Sequence, residues 1–532
     1  MIQREHRNAW LLWALVLSVV ACERAAPKSV PPAGSPLPST ATPTPSPEAA
    51  AVEPAPEATP LPAGLAPFAK PWKGDFDGMI KRRIIRVLAV QNPVLYAVDK
   101  GREVGITYEA VQAFEAEVNR KLHKNTVKVH VIILPVPRDE LFSRLEKGEG
   151  DIAAAALTIT PEGKKRVSFS QPLASGITEV LITSPGTPAL NGLDDLSGRQ
   201  VYIRRSSSYA EHIRALNQRF AKEGKPLVEV VAAPEVLEDG DILEMVNAGL
   251  VPATVVNSYL ADLYLNVFPD LVKQTNIQSK PGEIAWAFRK NSPKLAAVVN
   301  AFVKEHGQGT RDGNFLITKY LKNTQWVKNA RSDEDRAKFQ SMVALFQKYS
   351  RQYEVDYLLM AAQGYQESGL DQSKRSRVGA VGVMQVMPKT ARDKVVNIPD
   401  IEKLESNIHA GIKYNRWVID HYYQDPAIAR LDKVLFAFAS YNAGPAKVAS
   451  LRKQAKAMGL DPNKWFNNVE LIAAKRIGRE TVTYVSNIFK YYLAYRLMAR
   501  AQVDRQAART AASREQTARK KTAPPPARRP LT

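Results

Sequence analysis

The chain has 532 residues, too many for one hydrophobic core, and its length points to two to four domains. It is 45% hydrophobic and 24% charged, which excludes a wholly disordered or fibrous protein, and its net charge of +21 favours an anionic partner. No nucleic-acid motif accompanies that charge, so an acidic envelope surface or polymer is expected and nucleic acid is not; the single cysteine, Cys22, excludes an intrachain disulfide.

Arg4 and Arg7 precede an apolar run, Ala9 to Val20, which is too short to span a bilayer and has the length of a signal h-region. Val19-Val20-Ala21-Cys22 then resembles a bacterial lipobox. Residues 1–21 are therefore expected to be a lipoprotein signal peptide, with Cys22 lipidated after cleavage. The alternative is a plain signal peptide with an incidental cysteine. Glu23, in place of an aspartate, favours the outer membrane by resemblance to enterobacterial sorting. The expected location is the cell envelope, as an outer-membrane lipoprotein facing the periplasm and held to the membrane by its lipid anchor. Residues 22–72 are rich in Pro, Ala, Ser and Thr, a composition that buries no core and reads as a linker. At ~3 Å per residue it reaches on the order of 100 Å when extended.

A globular region is expected over 75–325. Ile84 to Val90 reads as a short buried strand and Val127 to Leu134 as another, and Tyr108 to Leu122 is helix-periodic between them. A helix ending at Gly148 and a strand from Asp151 to Leu157 follow, so strands alternate with helices as in a parallel α/β sheet. Three segments, Leu145 to Leu173, Leu193 to Tyr209 and Asn247 to Tyr264, resemble the family-3 periplasmic solute-binding proteins. That resemblance covers about Arg83 to Leu321. It implies two α/β lobes joined by two crossover strands, with a ligand cleft between them. Two positions depart from the pattern of amino-acid binders. Gly163 stands where an arginine holds the ligand carboxylate, and Asn257 stands where an aspartate holds the ammonium. A zwitterion in a low-dielectric cleft needs both charges. The readings left open are a muropeptide or other small-molecule ligand and a ligand-free structural role.

After Asn323 the pattern is helical throughout. Ser332 is a candidate helix cap with Asp335 at the capping-box position, and Phe339, Met342, Val343 and Phe346 share one helix face. An all-α domain is expected over 332–500 and a basic disordered tail over 501–532, where Arg and Lys far outnumber Asp504 and Glu515.

The chemistry is concentrated in Tyr365 to Ala391. Val355, Leu358, Leu359, Ala362 and Gln366 keep helical spacing, and Gly369 is a stop signal, so Glu367 lies at a helix C-terminus. The dipole there and apolar neighbours both raise a carboxyl pKa, which suits protonation of a glycosidic oxygen. An exposed glutamate at a helix end would be the bland reading of Glu367 alone. Three further motifs follow in order: Gly382 to Gln385, Ser440 to Gly444 and Glu480 to Val485. The combination resembles the family-1 soluble lytic transglycosylase domain, which has a lysozyme-like all-α fold. The fold class implied for the chain is therefore a two-lobed α/β periplasmic-binding-protein-like domain followed by an all-α lysozyme-like domain. The whole resembles membrane-bound lytic murein transglycosylases, with the Pro-rich linker and the basic tail as additions.

The resemblance assigns roles by position. Glu367 matches the catalytic glutamate. Ser376, Met384, Gln385, Tyr441, Asn442 and Tyr484 match substrate-binding positions, with core packing as the alternative for Met384. Ser368, Gly379, Gly382 and Glu480 match supporting positions. It implies peptidoglycan glycan strands as substrate and cleavage at the bond between N-acetylmuramic acid and N-acetylglucosamine, with 1,6-anhydro ends and neither cofactor nor metal. A goose-type lysozyme-like hydrolase and a non-catalytic glycan-binding sensor are the alternatives.

Overall fold

A computed structural model describes residues 70–99, 101–324 and 333–522, all within one compact unit. Cys22, the signal and linker segments up to residue 69, Ser332 and the chain beyond Thr522 lie outside the described residues. Strand Ile84–Ala89 is apolar except for Arg86, which is fully buried and paired with Asp151 at 3.1 Å, because both faces of its sheet are covered. Ile85, Val87 and Ala89 pack with Val111 and Phe114 of helix Ile106–Lys121 and with Leu295, Val299 and Phe302 of helix Pro293–His306. Leu88 faces Leu141 and Leu145 of helix Glu140–Lys147. That helix ends where Gly148 takes φ 80°, a left-handed conformation that favours glycine.

The sheet order is His130–Pro135, Ile84–Ala89, Ile152–Thr158, Gly282–Phe288 and Ser168–Phe169, with Ala174–Ile177 also paired to Gly282–Phe288. The first three strands are parallel, and Gly282–Phe288 is antiparallel to Ile152–Thr158. The local alternation of strands and helices gave the parallel half only. The antiparallel strand comes back from a second lobe more than a hundred residues later.

That second lobe holds the antiparallel group Ala253–Asn257, Glu179–Thr183 and Val272–Gln278, and the parallel pair Gln200–Arg204 and Glu229–Ala233. The chain crosses between lobes twice, at Ile177 to Glu179 and at Gln278 to Gly282. Between the lobes lies a cavity of about 340 Å³. Arg138 of the first lobe meets Glu238 of the second through two hydrogen bonds of 2.7 and 3.2 Å, and Asn92 Nδ2 donates to the same carboxylate at 3.1 Å.

From Asp333 the described chain is helical. Helices Tyr357–Ser368, Leu404–Tyr422 and Arg430–Ala443 enclose a core that includes Met360, Val383, Met384, Ile408, Phe436 and Val485. The core is sealed to the first lobe by ion pairs. Arg83 makes two hydrogen bonds, 2.8 and 3.0 Å, to the fully buried Glu470, and Lys490 contacts Glu115 at 2.6 Å.

One expectation is corrected here. A disordered tail was expected from residue 501, but helix Arg479–Thr522 runs on as one element of 44 residues. Ala508 and Ala512 pack against the core of the second lobe, and Arg509 pairs with Glu244. The segment is polar and basic, but it is also rich in Ala, Arg, Gln and Lys, all strong helix formers, and acidic residues of helix Asp239–Asn247 receive its charge.

Candidate active site

Helix Tyr357–Ser368 starts at Asp356, whose carboxylate accepts from the Leu358 N–H at 2.9 Å, and stops at Gly369 with φ 71°. Glu367 is therefore its penultimate residue. Burial, the largest cause, pushes the Glu367 carboxyl from 4.5 up to about 7. The Tyr484 hydroxyl, donating to Glu367 Oε1 at 2.5 Å, and the nearby Lys374 ammonium pull the other way. Among the described residues Lys374 is the one charged group that acts on it. Tyr484 sits on helix Arg479–Thr522, 7% exposed, and burial together with Glu367 pushes its own hydroxyl well above 10. Tyr441, on helix Arg430–Ala443, is pushed up by burial and then by the same carboxylate. Both phenols thus keep their protons and serve as donors.

The turn after the helix is built around buried polar groups. Ser368 Oγ donates to the carbonyl of Val383 at 2.9 Å and accepts from Asp371 N at 3.0 Å, so it ties the helix end to the turn. Gly382 has φ 74°, and a Cβ there would lie 2.6 Å from the Gln372 side chain, so only glycine fits. Gly379, with φ 87°, closes the outer bend, where Ser376 Oγ accepts from Ala380 N at 2.9 Å. Gln385 takes φ 45° and its amide donates to the carbonyls of Gly382 (2.8 Å) and Lys374 (3.2 Å). Tyr441 OH donates to the Met384 carbonyl at 2.7 Å, which joins the turn to the facing helix.

The structure thus brings Glu367, Tyr441 and Tyr484 together and holds them with Ser368, Gly382 and Gln385. Ser376 makes its contacts within its own bend. Asn442 accepts from Thr481 Oγ1 at 2.6 Å and reaches Glu480 at 3.5 Å, at the rim. Met384 is corrected from a groove-lining side chain to a core residue. It is 0% exposed and packs so closely that a Cβ on Gly411 would lie 2.7 Å from its own Cβ; only its carbonyl serves the site.

Sequence reasoning missed three side chains. Gln363, Asn407 and Asn415 are each 0% exposed. Asn407 Oδ1 accepts from Met384 N and its Nδ2 donates to the carbonyl of Val381, each at 2.8 Å, and Gln363 and Asn415 connect to Tyr484. The available signal was a polar amide at a core-facing position of an apolar helix, with Gln363 one turn before Glu367.

In the cleft of the upstream region, Gly163 is buried, and a Cβ there would lie 2.9 Å from the Phe169 ring, so no longer side chain fits without movement. Asn257 lines the same cavity, and its Oδ1 has no hydrogen-bond partner among the described residues.

A profile of the family "Transglycosylase SLT domain" matches residues 344–464, and one of "Bacterial extracellular solute-binding proteins, family 3" matches residues 85–315. The chain is similar to the membrane-bound lytic murein transglycosylase F of Desulfosudis oleivorans, at 29% identity over 77% of this chain and 89% of that one. It is also similar to the protein of the same name from Pseudomonas putida, at 26% identity over 80% and 87%. Among solved structures, the P235GK mutant of ArgBP from T. maritima aligns with 46% of this chain and 99% of its own, at 21% identity and a TM-score of 0.38.

Proposed function

We propose that this chain, a lytic murein transglycosylase with a family-3 solute-binding domain ahead of its transglycosylase SLT domain, uses Glu367 first as acid and then as base to release 1,6-anhydro ends. One observation carries the reading: a buried glutamate pushed up to about 7, with a tyrosine proton directed at it and no second carboxylate acting on it among the described residues. Near neutral pH such a group is populated in both forms, as an acid that becomes a base requires. Glu367 gives its proton to the oxygen between N-acetylmuramic acid and N-acetylglucosamine, and the C1–O bond breaks. The substrate's N-acetyl group stabilises the cation-like C1. The C6 oxygen then closes on C1 while its proton passes to the Glu367 carboxylate, which is ready again. A hydrolase of the two-carboxylate kind needs a second carboxylate to activate water. Glu480, the acidic residue of the last motif, is exposed at the rim beside Asn442.

The experiment is digestion of purified glycan strands, with mass spectrometry of the new ends. Anhydro ends from wild type and none from Glu367→Gln support the reading; reducing ends would move it to a goose-type hydrolase, and no release at all to a glycan-binding sensor.

Regulation and anchoring complete the proposal, with domains at 75–325 and 332–500. Helix Arg479–Thr522 carries Tyr484 at the site, Lys490 against the first lobe and Arg509 against the second, so closure of the cleft acts on one continuous element. With Gly163 and Asn257 in place of the amino-acid-binding charges, a muropeptide is the ligand we favour over a free amino acid. Turnover that is unchanged by added muropeptides would remove this part. Among the described residues no helix is long and apolar enough to cross a membrane, and lipidation at Cys22 would supply the anchor. Loss of lipid labelling in Cys22→Ser tests it.

A further inference from the structure

Tyr484 reaches Glu367 with a group that can point its proton in more than one direction. A phenol has one hydrogen and two acceptor lone pairs, so a neighbour decides whether it donates or accepts. The neighbour here is Gln363, which lies one helical turn before Glu367 on the same face and is 0% exposed. Its Nε2 donates to the Tyr484 oxygen at 3.1 Å. That bond occupies an acceptor site of the phenol and sends the phenol proton toward Glu367 Oε1, 2.5 Å away.

The direction of the Gln363 amide is itself fixed. Asn415 Nδ2 donates to Gln363 Oε1 at 2.8 Å and to the carbonyl of Gly411 at 2.9 Å. A backbone carbonyl only accepts, and a flipped Asn415 would set its oxygen against two acceptors. Burial of the relay, with Asn415 also at 0% exposure, keeps out water that would scramble these roles.

Resting on the transglycosylase reading above, we propose that Gln363, oriented by Asn415, is a positioning residue that aims the Tyr484 proton at Glu367 Oε1 and so leaves the acid proton of Glu367 on Oε2. A carboxyl oxygen that already accepts a short hydrogen bond is the poorer place for its proton. The relay therefore selects which oxygen of the acid protonates the glycosidic bond. It also favours the carboxylate form after the proton has gone, the form that receives the C6 hydroxyl proton. Lys374, from the turn, acts on Glu367 in the same sense, and the phenols Tyr441 and Tyr484 face it from the two other helices packed around it.

The test is a carboxyl titration of the full chain by infrared difference spectroscopy, with the Glu367 band identified by its absence in Glu367→Gln, run beside the pH profile of kcat. Gln363→Met keeps the length of the side chain and removes the donor. Gln363→Glu replaces the donor with an acceptor that competes for the Tyr484 proton. The expected result is that the Glu367 titration and the alkaline limb of kcat move up together by about one pH unit in Gln363→Met and further in Gln363→Glu, because the carboxylate loses a hydrogen bond. KM stays within about twofold, and adding Gln363→Met to Tyr484→Phe causes no further shift, since both act through one oxygen. Asn415→Ser, which cuts the relay at its far end, moves the limb in the same direction and serves if Gln363→Met does not fold. A fall in kcat with the titration unmoved, or shifts that add to that of Tyr484→Phe, would overturn the relay. The infrared arm needs no turnover. If Glu367→Gln stays active while the band shifts as expected, the acid assignment fails and the relay stands.

Discussion

Glu367→Gln separates the cost of burying the proposed acid from its use. In the folded chain burial pushes Glu367 to about 7, against 4.5 for the free group. Between those values the folded state keeps a proton that the unfolded state has released, so stability falls as pH rises through that window and levels off above it. The full difference corresponds to roughly 3 kcal/mol, and partial access of the carboxyl to solvent brings the expectation to about 2–3 kcal/mol. Glutamine has the same shape, still accepts from Tyr484 and does not titrate. The variant should therefore gain on wild type with pH: a fixed offset at pH 4, and an extra roughly 2–3 kcal/mol by pH 8. For a domain of this size that is roughly 4–12 °C in the thermal midpoint. Melting curves of both proteins at pH 4, 6 and 8, with midpoints compared at each pH, measure it. A difference between the two that stays constant from pH 4 to pH 8 would refute the burial argument, whatever the variant does to activity.

Other changes test the surroundings of the site. Met384→Ala removes a fully buried side chain packed on Gly411 and should cost about 2–5 kcal/mol of stability while leaving KM for glycan unchanged below the melting transition. A groove residue would show the opposite pattern. Arg83→Ala leaves the buried Glu470 without its guanidinium and should destabilise by about 3–5 kcal/mol, visible as a lower thermal midpoint. Arg509→Glu sets a third acid beside Asp241 and Glu244. Hydrogen exchange and proteolysis should then rise over the last turns of helix Arg479–Thr522, with the global midpoint changed by about 1 kcal/mol or less because the pair is partly exposed.

The boundaries of the sequence reading follow from what kind of contact each feature depends on. Glu367 at a helix end was legible because Gly369 ends that helix through a local backbone requirement. Strand Ile84–Ala89 was legible because a doubly covered strand is mostly apolar, here with Arg86 as its one charged residue. The antiparallel course of Gly282–Phe288 was not, because its partner Ile152–Thr158 lies far away in the chain and no local period records the pairing. The end of the long helix was misread because a basic, alanine-rich segment looks the same whether solvent or an acidic partner surrounds it, and that partner, Glu244, is 265 residues distant. Met384 sits among groove motifs, yet its side chain turns inward toward Gly411, and spacing does not show which way a turn residue points. Gln363 and Asn415 were not legible, since an amide reveals its role only through the atoms it faces.

The central claim is that one carboxyl, Glu367, opens the glycosidic bond and closes the anhydro ring without water. The direct measurement is digestion of glycan strands in water enriched in oxygen-18, followed by mass spectrometry of the released muramoyl ends. The account predicts ends lighter than a reducing end by one water and free of the heavy isotope, and none from Glu367→Gln. Reducing ends that carry oxygen-18 at C1 would contradict it.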